Sequence, residues 1–362
     1  MFEGASGVGS AHSTLRTGEP ATRLRQLWRC RRGEGADVTR SRQRKQYLVN
    51  TEREPGEPSA GTVRPGRLMQ NSLPAIAQAA RKDGKRRFRG LYSMLNRWNF
   101  EAAYHALRKD AAVGEDGVTY REYGANLHNN LIDLEQRLKE KRYRAKLVRR
   151  VFIPKSNNKL RPLGIPALED KIVQYVVREI LQTLFESLFL PCSYAYRPNK
   201  SARQAAEDLR TELMSQCVWV VEADISGFFD NVDHEWMIKM LERRIDDRAL
   251  IALIRKWLKA GILQPDGGVE YPERGTPQGS IISPILANIY LHYALDLWFE
   301  KVVKLSMSGK AVLVRYADDF VVGFKYHKDA SRFYRVLPIR LKKFGLETAK
   351  DKTRSVMTMN RL

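Results

Sequence analysis

The sequence predicts an α+β fold. Three observations predict it. Residues 73–150 carry a helical apolar period. After Val151, strands and helices follow one another without regular alternation, which argues against a doubly wound sheet. No internal period of the solenoid kind is visible. With 362 residues, 43% of them hydrophobic, the chain is long enough for two or three domains or subdomains.

Residues 1–72 are rich in Gly, Ser, Thr, Arg and Pro, with poor apolar periodicity. They predict a basic, mostly disordered arm. From residue 73 the pattern turns helical. Leu91, Leu95 and Trp98 recur at three- and four-residue steps, as do Leu127, Leu131, Leu134 and Leu138. Between them, the run from Gly114 through Glu115 and Asp116 to Gly117 reads as a turn. The third unit, 151–362, mixes both element types. Val148–Ile153 and Leu160–Ile165 read as a hairpin with Lys155, Lys159 and Arg161 at or near its tip. Ile172–Phe189 and Ser280–Trp298 read as helices. Val218–Ala223, Ala311–Tyr316 and Phe320–Phe324 read as buried strands.

Charge narrows the function. Lys and Arg total 63 against 41 acids, a net charge of +22. The excess is clustered in Arg16–Lys45, Arg81–Arg89 and Arg137–Arg150. Such blocks suit a nucleic acid, because cationic side chains release condensed counterions from phosphates. The longest apolar run, Ile281–Leu297, is broken by Ser283, Pro284, Asn288, His292 and Asp296, so no membrane span is expected. The three cysteines, Cys30, Cys192 and Cys217, are odd in number and far apart. They support neither a disulfide framework nor a zinc site, and a reducing, cytoplasmic location is expected. His234 and Glu235 lack the Cys pair that a zinc deaminase would need. Asp233 reads as the cap of a helix starting at His234.

The carboxylates are the sharpest signal. Asp318 and Asp319 lie in the tight connection between two apolar strands, and adjacent carboxylates repel unless a cation joins them. Asp224 closes the buried strand Val218–Ala223. If those strands are neighbours, three carboxylates converge, a set suited to two Mg²⁺ ions in phosphoryl transfer. Read alone, Asp318 and Asp319 are equally an Asp-rich hairpin turn.

Taken in order, the blocks VFIPK (Val151–Lys155), RPLGIP (Arg161–Pro166), SYAYRP (Ser193–Pro198), ADISGFFD (Ala223–Asp230), GTPQGS (Gly275–Ser280), YADD (Tyr316–Asp319), GLE (Gly345–Glu347) and KTR (Lys352–Arg354) resemble reverse transcriptases. The resemblance is closest to the group II intron type that also serves as a splicing maturase, and it covers roughly residues 90–355. It implies a right-hand polymerase with fingers and a palm built on a small antiparallel sheet, residues 73–150 being a helical extension of the fingers. It implies Asp224, Asp318 and Asp319 as metal-binding carboxylates, with the Ile225 carbonyl as a further ligand. The cofactor would be Mg²⁺, two ions, with Mn²⁺ as a substitute.

The resemblance also implies roles around that centre. Phe229 would exclude a ribose 2′-hydroxyl; Phe228, beside it in the motif, is counted with it as substrate-binding, with a core ring as the other reading. Lys155 and Arg161 would reach the triphosphate. Gln278 would contact the incoming nucleotide or the template, and Lys352 would act near the pyrophosphate as a general acid. Tyr194, Tyr196 and Arg197 would line the template path, where flat groups stack on bases. The partners implied are an RNA template, a DNA primer, dNTPs and intron RNA.

The family pattern continues into a helical thumb after the KTR block, whereas Ser355–Leu362 departs from it. A polymerase lacking its thumb is therefore expected. Two alternatives stay open at this point: an RNA-binding remnant or splicing cofactor that no longer copies RNA, and an RNA-copying polymerase of related architecture. A host-defence role would share the chemistry.

Overall fold

A computed structural model describes residues 67–154, 160–349 and 351–357. The basic arm expected over 1–72 lies outside the described residues as far as 66. Its last part instead opens the helix Arg67–Lys82.

The centre is a four-stranded antiparallel sheet. Its strands are β3 (Trp219–Ala223), β6 (Ala311–Tyr316), β7 (Asp319–Phe324) and β8 (Arg354–Met357), in the order β6-β7-β3-β8. Side chains alternate across it, as strand geometry requires. Ala311, Leu313, Phe320, Val322, Phe324, Val221 and Ala223 enter the main core. Val314 joins Tyr194, Ala205 and Leu209 in a smaller cluster on the opposite face, with Val312 and Val321 packed beside it. The helix His327–Lys342 covers the first face and the helix Ala202–Ser215 the second. Three of the strands match the apolar runs read from sequence to within a residue. The fourth, β8, is a short edge strand with no apolar run to announce it.

A second sheet carries the hairpin. β1 (Val148–Pro154) pairs antiparallel with β2 (Leu160–Ile165), and β1 also pairs in parallel with β4 (Ile262–Leu263), which joins β5 (Val269–Glu270). The helix Leu168–Phe185 packs against the helices Arg67–Lys82, Arg97–Ala106 and Ser283–Leu291. Ile172, Val173, Val176, Val177, Ile180, Leu181 and Leu184 are all fully buried on it. A helix apolar around most of its circumference belongs inside a core. One continuous apolar core runs from Ala80 to Leu346, joining the helical segment to the central sheet. Asp233 caps the helix His234–Leu241, accepting from Trp236 N at 2.9 Å.

The expected helix Ser280–Trp298 differs in form. It is α-helical over Ser283–Leu291 and continues as π-helical turns, His292–Asp296 and Phe299–Val303. The polar residues that interrupt its apolar run, Asn288 and Asp296, point inward rather than to water. No helix among the described residues is long and apolar enough to cross a membrane.

The packing beneath the sheet makes a direct test. The fully buried Phe333 ring stands 5.4–6.0 Å from the rings of Phe324, Trp298 and Phe299. Truncation to Ala deletes that contact set and leaves a cavity, so Phe333→Ala should cost about 3–5 kcal/mol in a denaturant titration.

Candidate active site

The site begins with a register. β3 and β7 pair with Ala223 opposite Phe320 and Glu222 opposite Val321. Continuing that register by one position places Asp224 opposite Asp319. β6 and β7 are joined by the two residues Ala317 and Asp318 alone, since Tyr316 already pairs with Asp319. Ala317 sits at φ +58°, a left-handed conformation that costs energy for a residue with a Cβ. The carboxylates thus stand at the ends of two neighbouring apolar strands.

Asp224 and Asp318 sense one another. Burial pushes the Asp318 carboxyl above its usual range, and the charge of Asp224 pushes it further. Arg161 and Lys352 oppose the shift. Asp224 is buried, and its carboxylate accepts from Lys352 Nζ at 2.6 Å. Lys352 is brought there by local pairing. Ile225 bridges Thr348, Ser226 N donates to Glu347 O, and Ala349 N donates to Asp224 O. Thr353 N then returns to Ala349 O, which turns Lys352 towards the end of β3.

Other predicted residues gather around this pair. Arg161 lies on β2, close enough to Asp318 and Tyr196 for both to act on its guanidinium. Tyr196, 45% exposed, has its phenol pushed up to about 12 by desolvation and by the Asp318 carboxylate. Gln278 is tied to the hairpin through its backbone, accepting from Gly164 N at 2.7 Å. The neighbouring Gly279 is at φ +111°, and a Cβ there would stand 2.8 Å from Gly164 O. Only glycine lets those backbones approach so closely. Phe229 is half-buried against the core, and its carbonyl accepts from Thr276 N. The side chain of Ile225 is buried, so it offers only its backbone.

Three predicted residues are corrected. Phe228 is buried beside Tyr290 and belongs to the core, not to a substrate surface. Tyr194 is only 4% exposed; its hydroxyl donates to Asp208 and its ring sits in the smaller apolar cluster, so no face is left for a base. The Arg197 guanidinium is turned inward to Glu186 and to the carbonyls of Leu190 and Ser193. Lys155 lies outside the described residues. Among the described residues no three His, Cys, Asp or Glu side chains form a ready cage for one ion. Asp224 lies close enough to Asp318 for its charge to raise the Asp318 carboxyl; Asp319 is buried at the start of β7.

A cation would nonetheless suit this pair. Two carboxylates with little water, one of them held above its normal range by burial and then by the charge of the other, are hard oxygen donors suited to a cation.

Sequence reasoning missed what lies beneath the turn. Arg315, Asp296, Asn288 and Ser193 are fully buried and mutually bonded. Their signal was present: an arginine inside an apolar strand, and polar residues interrupting an apolar helix.

Comparison with known proteins adds the family. Residues 153–361, more than half of the chain, match the reverse transcriptase (RNA-dependent DNA polymerase) family. The chain belongs to that family. Within it, the relatives point to the group II intron type. The group II intron-encoded protein LtrA of Lactococcus lactis is 38% identical over 207 residues, 57% of this chain and 34% of that protein. The protein YkfC of Escherichia coli is 36% identical over 256 residues, 62% of this chain and 67% of that one. A 91 kDa protein in the cob intron of Schizosaccharomyces pombe is 37% identical over 214 residues, 59% of this chain and 26% of that protein. The chain therefore spans about a third of LtrA and two thirds of YkfC.

The electrostatics predict a pH-dependent stability change. A carboxyl raised in the folded state binds its proton more tightly there than in the unfolded chain. Its contribution to stability therefore falls as pH rises from the unfolded carboxylate range through the folded value. In divalent-free buffer, Asp318→Asn should raise the thermal midpoint, and by more near pH 8 than near pH 4. A larger gain at the acidic end would contradict this assignment.

Proposed function

We propose that the chain is an RNA-directed DNA polymerase of the group II intron type. The observation that carries the reading is the convergence of Asp224 and Asp318 at the ends of adjacent strands, inside the region matched by the family. In this reading the β6-β7-β3-β8 sheet is the palm, and the β1–β2 hairpin is the fingers element that carries Arg161. The reaction is attack of a primer 3′-hydroxyl on the α-phosphate of a dNTP, with release of pyrophosphate.

Asp224, Asp318 and the Ile225 carbonyl would hold the Mg²⁺ ions. Bound there, Mg²⁺ lowers the pKa of the attacking hydroxyl and stabilises charge at the phosphate. The chain's own residues do the rest. Arg161 supplies charge for the triphosphate from the hairpin. Phe229 presents an apolar edge that excludes a 2′-hydroxyl, favouring dNTPs. Gln278, fixed by its backbone to Gly164, is placed to orient the nucleotide or its template base. Lys352 donates from Nζ to Asp224 at 2.6 Å and is the group assigned to the leaving pyrophosphate. Tyr196 remains the exposed aromatic for a template base. The net charge of +22 supports an RNA partner, including intron RNA.

Primer extension on an RNA template with dNTPs and Mg²⁺ tests the reading. Wild-type protein should extend, and Asp318→Ala should lose at least about a thousandfold in rate with RNA binding retained. RNA binding without extension in either protein would instead favour an RNA-binding cofactor. Phe229→Ala should raise ribonucleotide incorporation relative to dNTPs in the same assay; an unchanged ratio would remove Phe229 from sugar selection.

A further inference from the structure

Arg315 lies three residues before Asp318, inside the sheet and at 0% exposure. All five of its guanidinium N–H groups are engaged. Nε and Nη2 each donate to a carboxylate oxygen of Asp296 at 2.7 Å. Nη2 also donates to Ser193 Oγ at 2.7 Å, and Nη1 to Asn288 Oδ1 at 3.2 Å. The remaining bond runs from Nη1 to the carbonyl of Ala317 at 2.9 Å. Ala317 is the strained residue of the carboxylate turn. The backbone of Arg315 reaches the other way. Its N–H donates to Cys192 O, and its carbonyl accepts from Tyr194 N, so the Cys192–Tyr194 segment is joined to the edge of β6. That segment leads to Tyr196, beside Asp318.

A buried ion pair is a costly way to hold a sheet to a helix. Apolar residues of similar volume are often as stable or more so. What they lack is directional bonding to a chosen carbonyl. Left alone, an Ala at positive φ relaxes, and in a two-residue turn the change passes to the other residue, Asp318.

We propose that Arg315 is a positioning residue for the carboxylate turn: anchored by Asp296, Asn288 and Ser193, it clamps the Ala317 carbonyl and so sets where Asp318 stands relative to Asp224 and Tyr196. Its consequence for catalysis rests on the polymerase reading; its consequence for the turn does not.

Two variants and two readouts test this. Ser193→Ala removes one anchor and keeps the ion pair. Arg315→Lys keeps the charge and loses the fork that reaches Ala317. Hydrogen exchange of the full-length protein should rise about tenfold over residues 313–321 in both variants, the factor for one lost charged hydrogen bond. Residues 219–223 should be unchanged, and the thermal midpoint of Ser193→Ala should fall by only about the few degrees that one such bond is worth. In primer extension, the Mg²⁺ concentration for half-maximal rate should rise severalfold, since displaced carboxylates bind the ion less well.

Unchanged exchange over 313–321 in Ser193→Ala overturns the proposal, and so does a uniform rise across all strands with a larger fall in the midpoint, which marks a packing role. Should Arg315→Lys fail to fold, Ser193→Ala alone decides. A loosened turn with an unshifted Mg²⁺ requirement overturns the catalytic half. Wild-type protein that does not extend a primer defeats the polymerase reading, and the exchange experiment still judges the clamp.

Discussion

The register between β3 and β7 is the constraint on which the site depends. Pairing Ala223 with Phe320 carries both chains to their ends at the same edge of the sheet, so Asp224 and the Asp318 turn must meet. A slip of one residue would turn Phe320, Val322 and Phe324 away from the main core and towards the opposite face. The burial of those rings therefore enforces the meeting of the carboxylates. Apolar packing on one face does work against electrostatic repulsion at the strand ends. The Asp318 carboxyl is raised first by burial and further by the charge of Asp224, in keeping with that conflict.

Positive charge is arranged around the conflict at graded distances. Lys352 touches Asp224, Arg161 acts on Asp318 from the hairpin, and Arg315 lies sealed beneath the turn. They differ in freedom. Arg315 has every N–H committed, whereas Lys352 is half-exposed on a segment that pairs through its backbone with Asp224, Ile225 and Ser226. The first suits a fixed support and the second a group that shifts when other charges arrive. The basic clusters Arg81–Arg89 and Arg137–Arg150 would add a different, long-range attraction for a polyanion, one that salt screens.

Much of this was legible in the residues, for physical reasons. β6 and β7 are apolar runs, apart from Arg315, and are separated by Ala317, Asp318 and Asp319, so the hairpin and its carboxylates declare themselves together. Asp233 declares a helix start because its side chain can satisfy Trp236 N. β8 stayed hidden because an edge strand needs no apolar run, and β4 and β5 because two residues carry no period. The inward turn of Tyr194 and Arg197 was also hidden. An aromatic ring or a guanidinium looks the same in sequence whether it faces a base or a buried carboxylate. Only the partners decide, and Asp208 and Glu186 are far from obvious in the chain order. The π-helical turns that bring Asp296 under Arg315 have no pattern of their own.

The central claim is that Asp224 and Asp318 form one shared oxygen site for a divalent cation. Electron paramagnetic resonance of Mn²⁺ titrated into the protein without nucleic acid measures this most directly. Wild-type protein should deplete the free Mn²⁺ signal, and Asp224→Asn and Asp318→Asn should each weaken that binding at least about tenfold. Equal Mn²⁺ binding by all three proteins would contradict the claim.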